Sequence, residues 1–139
     1  MSMAVPPFSL QDSRGQNVSF PSDKPSLVCF VKEDCPTCKE VMPVLAALSD
    51  AFHEHLDIHV IGQTLEGNAV LEATFTPPFS LLDDSTLKVS FASDIDTVPT
   101  LFYTDTVGET SKTLVGSGRC ASLNGVSYRM SAGKLACIL

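Results

Sequence analysis

The sequence predicts an α/β domain: a central mixed sheet with helices on both faces, preceded by an N-terminal β-hairpin. Three observations predict it. The run "SLVCFV", residues 26–31, is continuously apolar and β-rich, as a strand covered on both faces must be. Val41, Val44, Leu45, Leu48 and Phe52 then recur at the spacing of one helical face. The same change from strand to helix repeats further along the chain, and such alternation requires a sheet whose early strands are parallel.

The elements follow in order. Phe8 to Leu10 and Asn17 to Phe20 are short apolar alternations around "DSRGQ", a cluster of turn formers, and they form the hairpin that Pro21 to Pro25 closes. After the strand at 26–31, a helix runs from about Thr37 to about His53, and Pro43 inside it removes one backbone donor and kinks it. "DIHVI", 57–61, is the next strand, stopped by Gly62. Leu65 to Phe75 reads as a second helix, weakened by Gly67 and ended by "TPP". Phe79 to Leu82 is a short strand and Ser85 to Ala92 a short helix. "TVPTLFYT" is a strand reached through a proline, and "DTVGE" turns it into "TSKTLV", residues 110–115. After Gly116 the pattern supports only a broken terminal helix, interrupted by Gly125 and Gly133. No repeat or linker divides the chain, so residues 1–139 read as one domain.

Composition excludes several functions. Apolar residues at 44% and charged residues at 18% fit a compact protein with a real core. A net charge of −7 with no basic stripe leaves nothing to neutralise phosphates, which argues against nucleic acid and against an anionic membrane surface. No run approaches the ~18 apolar residues of a membrane span. "MSMAVPPFSL" has neither the basic region nor the apolar stretch of a signal peptide, so the chain as written reads as cytoplasmic.

The chemistry concentrates in "EDCPTCKEVMPVL", residues 33–45. Of five cysteines only Cys35 and Cys38 are closely spaced, which is not the even framework of a stapled secreted domain. Cys35 follows a buried strand and opens a helix, where unpaired N–H groups and positive partial charge favour a thiolate. Pro36 suits the first helical position because its missing N–H would go unused there. Cys38, one turn inside, is placed to attack a mixed disulfide on Cys35 and expel the product thiol. A C-x-x-C loop is too small to stabilise much as a staple, and structural zinc needs two further ligands at matching spacing.

Elsewhere the plainer readings hold. Cys29 is a small core residue, and Cys120 and Cys137 read as free buried thiols, with mutual pairing or a further redox role as the alternatives. His53 and His55 close a helix and His59 sits in the next strand, so no metal site is expected from them. Arg119 is a solvated loop residue, and Glu72, Asp83 and Asp84 form a solvated face.

These motifs resemble a known family. "CPTCKEVMPVL" resembles the active-site helix of thioredoxins, with the C-x-x-C followed by Lys39 and by Pro43 five residues after Cys38. "TVPTLFYT" resembles the second thioredoxin signature, in which Pro99 would be cis, preceded by Val98 and followed by Thr100. "VGE…LVGSG" resembles the closing hairpin. The extra βα unit between Gly62 and Asp96, with the hairpin in front, is similar to TlpA-like (redoxin) thiol:disulfide oxidoreductases of the thioredoxin-like superfamily. The resemblance implies a thioredoxin fold and a thiol–disulfide oxidoreductase, with Cys35 as nucleophile and Cys38 as resolving thiol. It also implies Val98, Pro99 and Thr100 as a docking edge for a substrate strand, supported by Pro36, Thr37, Lys39 and Pro43. Protein thiols and disulfides would be the substrates, an upstream electron donor would recharge the pair, and no organic cofactor or metal is implied. With an anchor ahead of the chain, the family setting would be the bacterial periplasm.

The chain departs from the pattern at several places. Cys29 stands where thioredoxins carry a buried Asp, Asp34 replaces the aromatic before the first cysteine with Glu33 beside it, and Val41 stands where TlpA-like proteins often place a Glu, with Glu40 one earlier. The buried proton acceptor for the resolving thiol is therefore not identifiable. Asp34 opposes a thiolate on Cys35, and Lys32 and Lys39 offset it. Two alternatives stand beside this reading. A peroxiredoxin-like peroxidase shares the extended fold, but Lys32 occupies the position of its Thr or Ser. A redox-inert or copper-binding module would hold Cu(I) on Cys35 and Cys38, with Met42 and Met130 as further soft ligands.

Overall fold

The computed structural model describes residues 5–115, 120–123, 126–131 and 134–138, with side chains as far as Thr110. The main sheet has five strands: β3 (Ser26–Phe30), β4 (Asp57–Gly62), β5 (Leu82–Asp83), β6 (Thr100–Thr104) and β7 (Thr110–Val115), in the order β5-β4-β3-β6-β7. β3 is central. It pairs parallel with β4, Cys29 opposite Val60, and antiparallel with β6, Cys29 opposite Leu101. β4 pairs parallel with β5, and β7 adds an antiparallel edge to β6. Every residue of β3 is buried, which explains its unbroken apolar run.

Side chains alternate across the sheet and divide the interior in two. On one face Leu27, Cys29, Val31, Val60 and Leu101 pack against helices α1 (Pro36–Phe52) and α2 (Leu65–Phe75). α1 presents Cys38, Val41, Met42, Leu45 and Leu48 to this layer, and α2 presents Leu71. On the other face Val28, Phe30, Ile61 and Phe102 meet Val89 of α3 (Lys88–Ala92) and the N-terminal hairpin, through Phe8 and Phe20. That hairpin, β1 (Phe8–Gln11) with β2 (Asn17–Phe20), is a separate two-stranded sheet joined to the edge of the main one by a bridge from Asp12 to Leu82. Each large apolar side chain sealed in either layer contributes roughly 1.5–3 kcal/mol.

Both longer helices end where the sequence places them. α1 continues as one helix through Pro43, whose ring lies on the exposed side. α2 tolerates Gly67 because Thr64 caps it, accepting the Gly67 N–H at 2.9 Å, and it stops at Thr76 in a left-handed conformation before the two prolines.

Four expectations are corrected. The tail is not a helix: β8 (Cys120–Leu123), β9 (Val126–Ser131) and β10 (Lys134–Ile138) form an antiparallel sheet of their own, order β10-β9-β8. Glycines that break a helical pattern also separate strands, and Asn124-Gly125 between two β-rich runs is a hairpin signal. Arg119, Gly116, Gly125 and Gly133 lie outside the described residues, as do the side chains of Cys120, Met130 and Cys137. Asp84 is buried rather than solvated, because its carboxylate accepts from the Val89 and Ser90 N–H groups and from the Ser90 hydroxyl, capping α3. Glu72 is half-buried and accepts the Leu81 N–H at 2.7 Å. The inserted unit is shorter than expected, with its strand at Leu82–Asp83 and its helix starting only at Lys88, after Leu87 turns left-handed at φ 60°.

The hairpin is held to the sheet through His59. Its ring is 7% exposed and meets Phe8 and Phe20 edge-on, both at 6.0 Å between centroids. Nε2 is buried without a hydrogen-bond partner. Burial lowers the imidazole pKa below its ordinary 6.5, with Asp57 opposing the shift. The unfolded chain therefore takes up a proton near pH ~6.5 that the folded chain refuses. His59 costs nothing above that pH, and stability falls as the pH drops below it, by up to ~1.4 kcal/mol per pH unit. Urea midpoints measured between about pH 7.5 and pH 5 are expected to fall in the wild type and to fall less in His59→Leu. Equal slopes in the two proteins would contradict a buried neutral His59.

Candidate active site

β3 delivers the chain to the site. Beyond its end the ladder runs one step further, Val31 N–H donating to Ile61 O at 2.9 Å, and the backbone then turns, Cys35 N–H reaching Lys32 O at 3.4 Å. α1 starts at Pro36, so Cys35 is its N-cap, in an extended conformation (φ −102°, ψ 115°). Its sulfur accepts the Cys38 N–H at 3.2 Å. Donation into the sulfur at the positive end of a 17-residue helix stabilises negative charge there.

The opposite wall comes from residues 63 positions further along the chain. Because β6 runs antiparallel beside β3, Thr100 at the start of β6 lies opposite Phe30 at the end of β3. The loop before Thr100 is thereby brought over Cys35, and the Cys35 thiol donates to the Val98 carbonyl at 3.5 Å. The Val98–Pro99 peptide bond is cis. Pro99 and Thr100 are buried and Val98 is half-buried, and the Thr100 hydroxyl donates to Thr97 O. Cys35, Cys38, Val98, Pro99 and Thr100 thus gather at one point. Of the supporting residues, Pro36, Lys39 and Pro43 are exposed on α1 and Thr37 is half-buried.

The two cysteines stand in unlike surroundings. Cys35 is half-buried and Cys38 fully buried, and both are free thiols. Burial pushes the Cys38 thiol far above its ordinary range, its hydrogen bond with Cys35 adds to this, and the Lys32 backbone opposes it. Cys29 is a core residue as expected, fully buried on the same face of β3, and burial raises its thiol too, with Cys35 adding. Glu40 is exposed and Val41 is buried. At the rim Lys32 pairs with Asp34 at 3.4 Å, drawing the negative charge beside Cys35 towards a cation. Both partners are exposed, so the pair adds little stability.

His53 and His55 are exposed at the end of α1, away from the buried His59. Among the described residues no group of three or more His, Cys, Asp or Glu side chains is arranged to hold a metal ion, and no helix is long and apolar enough to cross a membrane. One contact had no local signal: the Glu33 carboxylate lies against Gly67 at the start of α2.

No family model matches the chain, and no curated protein matches it in sequence. Solved structures do match. DsbE of Chlorobium tepidum, a thiol:disulfide interchange protein, superposes with a TM-score of 0.76 at 15% identity, covering 84% of this chain and 86% of its own. StoA of Bacillus subtilis gives 0.72 at 20% identity, over 83% of this chain and 91% of its own. The peroxidoxin BcpB of Mycobacterium tuberculosis gives 0.71 at 19% identity, over 84% and 86%. The chain has the thioredoxin fold. Within that fold Cys35 and Cys38 lie at the carboxyl end of the central strand, where open α/β sheets gather their sites.

The unlike burial of the thiols predicts selective chemistry. With iodoacetamide at neutral pH, Cys35 is expected to be alkylated at least about tenfold faster than Cys29 or Cys38, which react only once the chain is unfolded. Peptide mapping by mass reads the three sites separately. Modification of Cys38 or Cys29 at the rate of Cys35 would contradict the site as described.

Proposed function

We propose that the protein is a thiol–disulfide oxidoreductase of the TlpA-like (redoxin) type, exchanging disulfides with protein substrates through Cys35 and Cys38. The asymmetry of the pair carries this reading: one reachable sulfur receiving an N–H at a helix N-terminus, and one buried sulfur that keeps its proton. The Cys35 thiolate attacks one sulfur of a substrate disulfide. The substrate S–S bond breaks, a mixed disulfide with Cys35 forms, and the first substrate sulfur leaves as a thiolate that takes a proton from solvent.

Cys35 no longer carries negative charge in the mixed disulfide, so one of the causes that hold the proton on Cys38 is gone. Cys38 passes that proton to the departing second substrate sulfur and attacks Cys35. The mixed disulfide breaks, the Cys35–Cys38 disulfide forms, and two electrons have moved to the substrate. An upstream dithiol donor reverses these steps to restore the pair, and an oxidised protein facing a substrate dithiol runs them backwards. Val98, Pro99 and Thr100 form the docking edge, where the Val98 backbone beside Cys35 suits pairing with an extended substrate segment. Pro36 starts α1 at the turn, and Thr37, Lys39 and Pro43 line the helix that presents the pair. The likeness in fold to DsbE of Chlorobium tepidum supports the same chemistry.

Cys35→Ser is expected to lower reduction of a model protein disulfide by on the order of 10³-fold or more. Cys38→Ser is expected to perform the first attack and stop, accumulating a mixed disulfide visible by mass. A Cys35→Ser protein that still reduces disulfides would overturn the assignment. Peroxide consumption retained by Cys38→Ser would favour the peroxidase reading, and Cu(I) retained through purification and lost in Cys35→Ser would favour the binding module.

A further inference from the structure

We propose that Glu33 is a positioning residue that fastens the Cys35 loop to the first turn of α2, and that Gly67 is glycine to give its carboxylate a seat. A Cβ built on Gly67 would lie 2.1 Å from Glu33 Oε2, 2.5 Å from Cδ and 2.8 Å from Oε1. An alanine there would require the end of the Glu33 side chain to swing off this seat. Gly67 is not among the residues with positive φ, so the helix itself does not require glycine there, and glycine weakens a helix interior. The contact with Glu33 accounts for a residue that the helix alone disfavours.

Topology creates the meeting. β3 and β4 are adjacent and parallel, so the loops that leave their carboxyl ends run side by side, one to Cys35 and the other to α2. Glu33 spans the gap between them. Its carboxylate comes to rest in the first turn of an 11-residue helix, the end that favours negative charge. That turn is a firm anchor. Thr64 caps it, and Asn68, buried within it, donates to Leu82 O at 2.9 Å on β5 while its amide oxygen covers Gly62.

Glu33 thereby does two things for a sulfur two residues away. It fixes the segment 32–35 whose end residue receives the Cys38 N–H and faces Val98 O. It also holds its own negative charge against the positive end of α2. Cys29 from β3 and Cys38 from α1 also face Cys35, and the Lys32–Asp34 pair lies on the loop itself. The purpose of this device rests on the oxidoreductase reading, but the test does not need turnover.

The test is the rate of Cys35 alkylation, together with the melting temperature, in Glu33→Ala, Glu33→Gln, Gly67→Ala and the double variant Glu33→Ala/Gly67→Ala. Glu33→Ala and Gly67→Ala are each expected to slow Cys35 alkylation at neutral pH by about two- to fivefold, because each releases the loop from α2. Glu33→Gln keeps the shape and an acceptor oxygen and should stay closer to wild type. The coupling is the sharpest outcome: Gly67→Ala raises the melting temperature more when Glu33 is alanine than when Glu33 is present, because the vacated seat then accepts the methyl group without displacing a side chain. Unchanged alkylation in both single variants, or additive effects in the double variant, would overturn the proposal. Intact alkylation behaviour in a protein that fails to reduce disulfides would leave the positioning role standing and remove only the oxidoreductase reading.

Discussion

The placement of β3 between β4 and β6 is the constraint on which the rest of the structure depends. Parallel pairing with β4 sets the Cys35 loop beside the loop that starts α2. Antiparallel pairing with β6 sets Val98 and Pro99 over the same point from the opposite direction. A strand buried on both faces along its whole length cannot slip by one residue without turning Cys29 and Val31 out of one layer and Val28 and Phe30 out of the other. The three segments of the site are therefore brought into register by the core.

That arrangement builds the site into the stability of the fold. Cys38 is as deeply buried as Met42 and Leu45, its neighbours on the same face of α1, while Cys35 half-emerges at the helix cap. A thiol suits such a position because it packs as a small apolar group and still carries chemistry. The interior beneath the pair holds Cys29 and aliphatic side chains, and this low-polarity setting keeps the proton on Cys38. The second face has a different task, binding the hairpin through Phe8, His59 and Phe20.

Much of this was legible in the residues, because it is local. The apolar run of β3, the spacing of Val41, Leu45 and Leu48, the proline at the start of α1 and the C-x-x-C each lie within a few residues of one another. What escaped depends on distant partners. Asp83 and Asp84 look alike in sequence, yet Asp84 is buried because the left-handed Leu87 brings the α3 N–H groups to its carboxylate. Glu72 looks solvated until Leu81, nine residues on, donates to it. Gly67 reads as a flaw in a helix and becomes intelligible only when Glu33 arrives from another loop. In the tail, glycines that read as breaks in a helix instead stand between three short strands.

The most direct test of the central claim is a redox titration of the pair itself. The protein is equilibrated in glutathione buffers of graded potential, its thiols are trapped by alkylation, and the Cys35–Cys38 peptide is read by mass. The expected result is one reversible two-electron transition between dithiol and disulfide, within the range of roughly −120 to −270 mV spanned by DsbA and thioredoxin. The absence of any reversible Cys35–Cys38 disulfide across that range would contradict an exchange function for this site.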